Sequence, residues 1–108
     1  MSLKLPAPIA RYFATDSSSG TAVAGCFTPD AVVKDEGHTY KGTAAIAKWK
    51  DDASKKYQYT TEPFALEERD GQVIVTGHVA GNFPGSPVDL RYTFVLDGDR
   101  ISALEITL

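Results

Sequence analysis

The sequence predicts an α+β domain, three N-terminal helical segments packed on a curved antiparallel sheet that encloses an apolar pocket. Three observations carry this reading. Apolar residues recur at helical spacing in the first half of the chain, and from Tyr57 onward the pattern changes to period-two alternation. The strand-like runs are then separated by short turn signals, which make consecutive strands antiparallel neighbours.

Pro6 suits the first residue of a short helix, after which Ile9, Tyr12 and Phe13 share a face through Ala14. The run Asp16-Ser17-Ser18-Ser19-Gly20 breaks the chain and offers N-caps for a second helix, with Val23, Cys26 and Phe27 on its buried side and Thr28-Pro29-Asp30 ending it. Residues 31–35 read as a short strand, followed by a loop at Glu36-Gly37-His38. Thr43 is the expected N-cap of a third helix, in which Ile46, Trp49 and Ala53 share a face and Lys55 and Lys56 complement the C-terminal dipole.

Four strands are expected at 58–68, 72–80, 88–96 and 100–107, divided by Asp70-Gly71, by Pro84-Gly85-Ser86-Pro87 and by Asp97-Gly98-Asp99. Pro63 places the first of them at an edge or in a bulge, because proline cannot donate to a ladder. Val88, Leu90, Tyr92, Phe94 and Leu96 take the core face of the third. A three-residue turn at 97–99 would set Tyr92 opposite Leu104, Leu90 opposite Ile106 and Arg91 opposite Glu105, while pairing with the valines of the preceding strand would set the outward-facing His78 opposite Arg91. The outer face, with Thr76, His78, Arg91, Thr93 and Glu105, is either solvated or the surface of a homodimer, and the dimer is favoured.

At 108 residues the chain fits one domain, spanning 1–108, and 43% hydrophobic with 23% charged residues excludes disorder. A net charge of −3 without a basic stripe excludes a nucleic-acid partner, and no apolar run is long enough for a membrane span. The single Cys26 cannot form an intrachain disulfide, which agrees with a reducing, cytoplasmic setting. His38 lies beside Asp35 and Glu36 with no second His or Cys nearby, so no metal and no other cofactor is expected.

The stretch from Cys26 to Asp35, continuing through Tyr40-Lys41-Gly42-Thr43-Ala44-Ala45-Ile46, and the closing hairpin from Tyr92 to Ile101 resemble the nuclear transport factor two-like superfamily. That superfamily of cone-shaped domains includes ketosteroid isomerases and SnoaL-like polyketide cyclases. The resemblance implies a cone with an internal pocket, and the shortness of the chain for this superfamily implies a small one. Ketosteroid isomerases carry a Tyr in the first helix and an Asp ending the first strand, where Tyr12 and Asp35 stand here. Tyr12 is then the phenolic donor and Asp35 the base, and Tyr92 falls where the family has a second oxyanion donor, a protonated Asp.

Removing a proton beside a carbonyl needs a carboxylate near the carbon and donors aimed at the oxygen on which charge develops. Asp35 with Tyr12 and Tyr92 offers both, and Phe27, Trp49, Phe64, Val79, Phe94 and Leu104 are the expected walls for a small apolar molecule. The expected function is a cofactor-independent isomerase or cyclase acting on an apolar carbonyl compound. The alternative is a non-catalytic ligand-binding or dimerisation module of the same fold, with Asp35 capped or facing solvent. An epoxide-hydrolase-like site would need an Asp-Arg-Asp cluster, and Arg91 faces the wrong way for it.

Overall fold

The computed structural model describes residues 4–15 and 20–108, so the expected caps from Asp16 to Ser19 lie outside the described residues. Helix α1 (Ala7–Thr15) starts as Pro6 dictates, its carbonyl accepting from the Ala10 amide at 2.9 Å, and buries Pro8, Ile9 and Tyr12. Helix α2 (Gly20–Ala24) is only five residues long. Its Gly20 amide donates to Asp51 Oδ1 at 2.8 Å, and an added Cβ at Gly20 would lie 2.0 Å from the Ala47 carbonyl oxygen. Gly20 is therefore what lets α2 approach α3 (Thr43–Lys56) so closely.

Cys26 and Phe27 are not on a helix. The helix stops at Ala24, the Cys26 amide closes a turn onto the Val23 carbonyl, and the Cys26 carbonyl already accepts from Ile101 at 2.8 Å. Strand β1 (Phe27–Asp35) thus begins four residues before the expected 31, running through Thr28-Pro29-Asp30. Helical periodicity here was overridden by pairing with a distant strand. Pro29, lacking an N–H, falls where the ladder jumps from Phe27 to Val32.

The expected loop after β1 is a two-residue turn, Glu36 and Gly37, both at positive φ as a type I′ turn requires. His38 instead opens strand β2 (His38–Lys41), antiparallel to β1. Gly42, at φ 88°, is the N-cap of α3, and Thr43 is the first helical residue.

Strands β3 (Tyr59–Arg69), β4 (Gln72–Gly81), β5 (Val88–Asp97) and β6 (Arg100–Thr107) fall within a residue or two of expectation. β3 is an edge strand, and its ladder to β4 shifts between Pro63 and Ala65. The six strands run in the order β2-β1-β6-β5-β4-β3 as one curved, open sheet. It is mixed rather than wholly antiparallel, because β1 and β6 pair in parallel. No short turn joins that pair, so nothing forces it to be antiparallel.

Two registers differ from expectation. The β5–β6 hairpin turns through two residues, with Asp97 opposite Arg100, and a shift between Val95 and Leu96 follows at Ser102, whose Oγ donates to the Val95 carbonyl at 3.1 Å. Tyr92 consequently faces Ile106, Phe94 faces Leu104, and Arg91 faces Thr107. The bulge restores the alternation that a two-residue turn alone would have inverted, keeping Leu104 buried and Glu105 exposed. His78 pairs with Asp89 rather than Arg91, and its Nδ1 lies 2.8 Å from Asp89 Oδ1 on the outer face.

Between helices and sheet, Tyr12 sits in a ring cluster with Phe13, Phe27 and Phe94 at centroid distances of 5.2, 6.0 and 5.6 Å. Ile9, Val23, Val33, Ile46, Val75 and Leu104 join Tyr12, Phe27 and Phe94 in the buried centre, with the partly buried Phe13 packed against it. The core occupies one end of the concavity, and the other end stays open.

Candidate functional site

That open end is a cavity of about 660 Å³. It is not the small pocket expected from chain length, but of a size that holds a drug-sized molecule. One wall is α3 with Trp49, Lys50 and Ala53; the sheet supplies Tyr59, Val79, Leu90, Tyr92 and Ile106; Phe83 and Pro84 of the β4–β5 connection and the turn at Asp35 to Gly37 also border it.

Asp35 reaches the cavity because it is the last residue of β1, held between His38 of β2 and Ile106 of β6. Its Oδ2 accepts from the Trp49 indole N–H at 3.1 Å, so α3 orients the carboxylate. Burial pushes the Asp35 carboxyl above the ordinary carboxylate range, and Glu36 adds to this, while the Trp49 bond and the Lys50 charge pull the other way. The balance is a carboxyl made more basic, as a proton acceptor in catalysis requires.

The other residues expected from sequence divide into two groups. Trp49, Val79 and Tyr92 line the cavity with Asp35. Tyr12, Phe27, Phe94, Leu104 and Phe64 are not among its lining residues. Tyr12 is wholly enclosed, and meets the site through neighbours that do line it: Tyr92, 6.4 Å away between ring centroids, and Lys50, whose Nζ is 5.5 Å from the Tyr12 ring centroid. Phe27, Phe94 and Leu104 are core. Phe64 is 53% exposed, because it is the extra residue where the β3 ladder shifts.

Sequence reasoning missed Lys50 and Tyr59. Lys50 is only 5% exposed, and its ammonium donates to the Tyr59 hydroxyl at 3.0 Å. It also stands 4.7 Å from the Trp49 ring centroid and 5.5 Å from that of Tyr59. A signal was present, since Lys50 follows Ile46 by four residues and precedes Ala53 by three, which puts it on the buried face of α3. Arg91 is exposed on the outer face, so the charged residues among the described lining are Asp35, Glu36 and Lys50, and an Asp-Arg-Asp cluster does not form. Among the described residues no three His, Cys, Asp or Glu side chains gather as metal ligands, and no helix is long and apolar enough to cross a membrane.

A cone-like α+β domain, helices packed on one curved, open sheet beside a mostly apolar cavity, has the architecture of the nuclear transport factor two-like class. The SnoaL-like domain profile matches residues 9–101, and the chain belongs to that family. Among solved structures it is similar to a candidate polyketide cyclase from Sinorhizobium meliloti, with 40% identity, 95% of each chain covered and a TM-score of 0.90. It shares the fold of a Catenulispora acidiphila protein with a ketosteroid isomerase-like fold, solved with trimethylamine, at 16% identity, 97% and 87% coverage and a TM-score of 0.86. The epoxide hydrolase/cyclase-like enzyme SalBIII of salinomycin pyran-ring formation has the same fold, at 18% identity, 92% and 85% coverage and a TM-score of 0.77. No curated protein matches the sequence significantly.

Proposed function

We propose that the protein is a cofactor-independent isomerase or cyclase that transfers a proton on an apolar carbonyl compound bound in this cavity, with Asp35 as the base. The observation that carries the reading is Asp35 itself, a cavity-lining carboxyl with raised basicity whose orientation is fixed by the Trp49 indole. It neither caps a helix nor lies fully in solvent, as a purely structural Asp would. Tyr92, which lines the cavity from the sheet, is the phenol we assign to a developing enolate oxygen, and the apolar walls would strengthen that interaction. The likeness to a candidate polyketide cyclase at 40% identity supports cyclisation as the reaction class. We place the reaction in the cytoplasm, on the acidic net charge and the lone cysteine. We further propose pairing of two copies through the outer sheet face, where Arg91 and Glu105 offer opposite charges; sedimentation as a monomer at micromolar concentration would contradict it.

The test is exchange of α-protons for deuterium, followed by NMR across a panel of cyclic and linear ketones. Wild type should accelerate exchange for at least one ketone, and Asp35→Asn should lose about 10²- to 10⁴-fold of that rate. Exchange that survives Asp35→Asn, or a wild type no faster than buffer across the panel, would refute the proton-transfer reading.

A further inference from the structure

Charge developing on an oxygen is held by donors that converge on it, and of the two phenols the family resemblance implies, only Tyr92 lines the cavity. Tyr57 and Tyr59 line it too. The Tyr57 ring packs edge-on against Phe83 of the β4–β5 connection, 6.2 Å between centroids. Tyr59 is placed differently, since its oxygen accepts from the Lys50 ammonium at 3.0 Å. A phenol that accepts in this way keeps its own proton to give, and the incoming bond makes it a stronger donor. Among the described residues no group accepts that proton. The ammonium also acts on the Asp35 charge, so Tyr59 is one of several groups that hold it.

A glycine brings Tyr59 and Tyr92 to the same side of the cavity. Gly77 of β4 pairs with Leu90 of β5, and an added Cβ there would lie 3.2 Å from both Tyr92 Cε1 and Thr61 Cγ2. With no side chain at 77, the Tyr92 ring leans from β5 over β4 toward Thr61 of β3. Tyr59 stands two residues from Thr61, on the same face of that strand.

We propose that the Tyr59 hydroxyl, positioned by Lys50, is a donor to the carbonyl oxygen of the bound ligand, given from the side of the cavity that Tyr92 also lines. The Lys50 bond fixes the phenol oxygen and leaves its proton to turn toward the ligand. Such a role rests on the ligand being a carbonyl compound, as proposed above, and requires neither Asp35 nor turnover.

The probe is 1-tetralone with a carbon-13 label at its carbonyl, titrated with the protein and followed by NMR, because hydrogen bonding moves a carbonyl carbon downfield. With wild type the resonance should titrate to a bound position downfield of that reached with Tyr59→Phe. Tyr59→Phe should also bind the ketone about two- to tenfold more weakly, the size of one neutral hydrogen bond. Lys50→Met, which keeps the stem's bulk, should move the bound resonance upfield as well, and Tyr59→Phe should change it less in that background than in wild type. If Lys50→Met fails to fold by circular dichroism, Tyr59→Phe alone decides. No saturable change with wild type, a Tyr59→Phe variant with wild-type affinity and bound resonance, or strictly additive effects of the two substitutions would each overturn the proposal. Asp35→Asn should keep the dependence on Tyr59. A ketone that exchanges its α-protons but shows no such dependence refutes the role of Tyr59 and spares that of Asp35, and one that shows it without exchanging does the reverse.

Discussion

The indole N–H of Trp49 donates to Asp35 Oδ2 at 3.1 Å, and this bond ties the third helix to the end of the first strand. It favours the ionised carboxyl and so opposes the upward push of burial. Trp49→Phe removes the donor and keeps most of the ring. The Asp35 carboxyl should then titrate at higher pH than in wild type, followed through its side-chain carbon resonance. An unchanged or lower midpoint would show that the bond is not made in solution.

Asp35 also makes stability depend on pH in an unusual direction for an acid. Its carboxyl holds a proton more firmly in the folded than in the unfolded chain, so between the two pKa values the folded state binds more protons. Stability from this group falls as pH rises through that interval and the full cost remains above it. Asp35→Asn, which keeps an acceptor for Trp49, should therefore unfold at higher urea concentration than wild type at pH 7. That advantage should vanish on acidification below the ordinary Asp range. A variant less stable than wild type at pH 7 would contradict the raised pKa.

Tyr12 and Tyr92 differ in reach, since Tyr92 lines the cavity and Tyr12 is enclosed behind it. Tyr92→Phe should lower the exchange rate of any active ketone by about 10-fold or more, whereas Tyr12→Phe should change it by less than about twofold. Stability in Tyr12→Phe should fall by about 1 kcal/mol at most, as for one buried hydroxyl. A larger rate effect at Tyr12 than at Tyr92 would restore the role that the family resemblance implies.

Two phenylalanines taken from sequence as cavity walls should separate cleanly in unfolding experiments. Phe94→Ala empties a fully buried site beside Tyr12 and should cost about 3–5 kcal/mol. Phe64→Ser alters an exposed bulge residue and should cost less than about 0.5 kcal/mol. Comparable losses would mean that Phe64 is covered in solution.

What the sequence revealed was set by local signals. Asp70-Gly71 fixed one hairpin, Pro63 announced an edge strand with a bulge, and the alternation from Val88 to Leu96 assigned the core face. Strand β2 was missed because a four-residue, largely exposed strand has no apolar alternation to detect. The start of β1 was misread because Val23, Cys26 and Phe27 satisfy helical spacing while pairing with Ile101 decides otherwise. Asp35 was singled out by the resemblance to ketosteroid isomerases, not by its position alone, and the structure puts it in the cavity lining. Lys50 was not, because a lysine between Trp49 and Asp51 reads as surface until the helix face is traced. Tyr12 was placed in the right helix, but spacing along the chain says nothing about which ring of a cluster reaches the cavity.

The parallel neighbours β1 and β6 are separated by roughly seventy residues of chain, Val33 lying beside Leu104. During synthesis the strand that ends in Asp35 would leave the ribosome early and wait, its long edge unclaimed, until Ala103 to Ile106 emerge. The helices and the β1–β2 and β3–β4 hairpins can assemble meanwhile from local contacts, but the second edge of β1, beside Asp35, is paired only when the last strand docks. Completion of the cavity is thereby coupled to completion of the sheet, and a nascent chain stalled before Ala103 would carry every residue of the helical wall and lack Ile106 of the facing one.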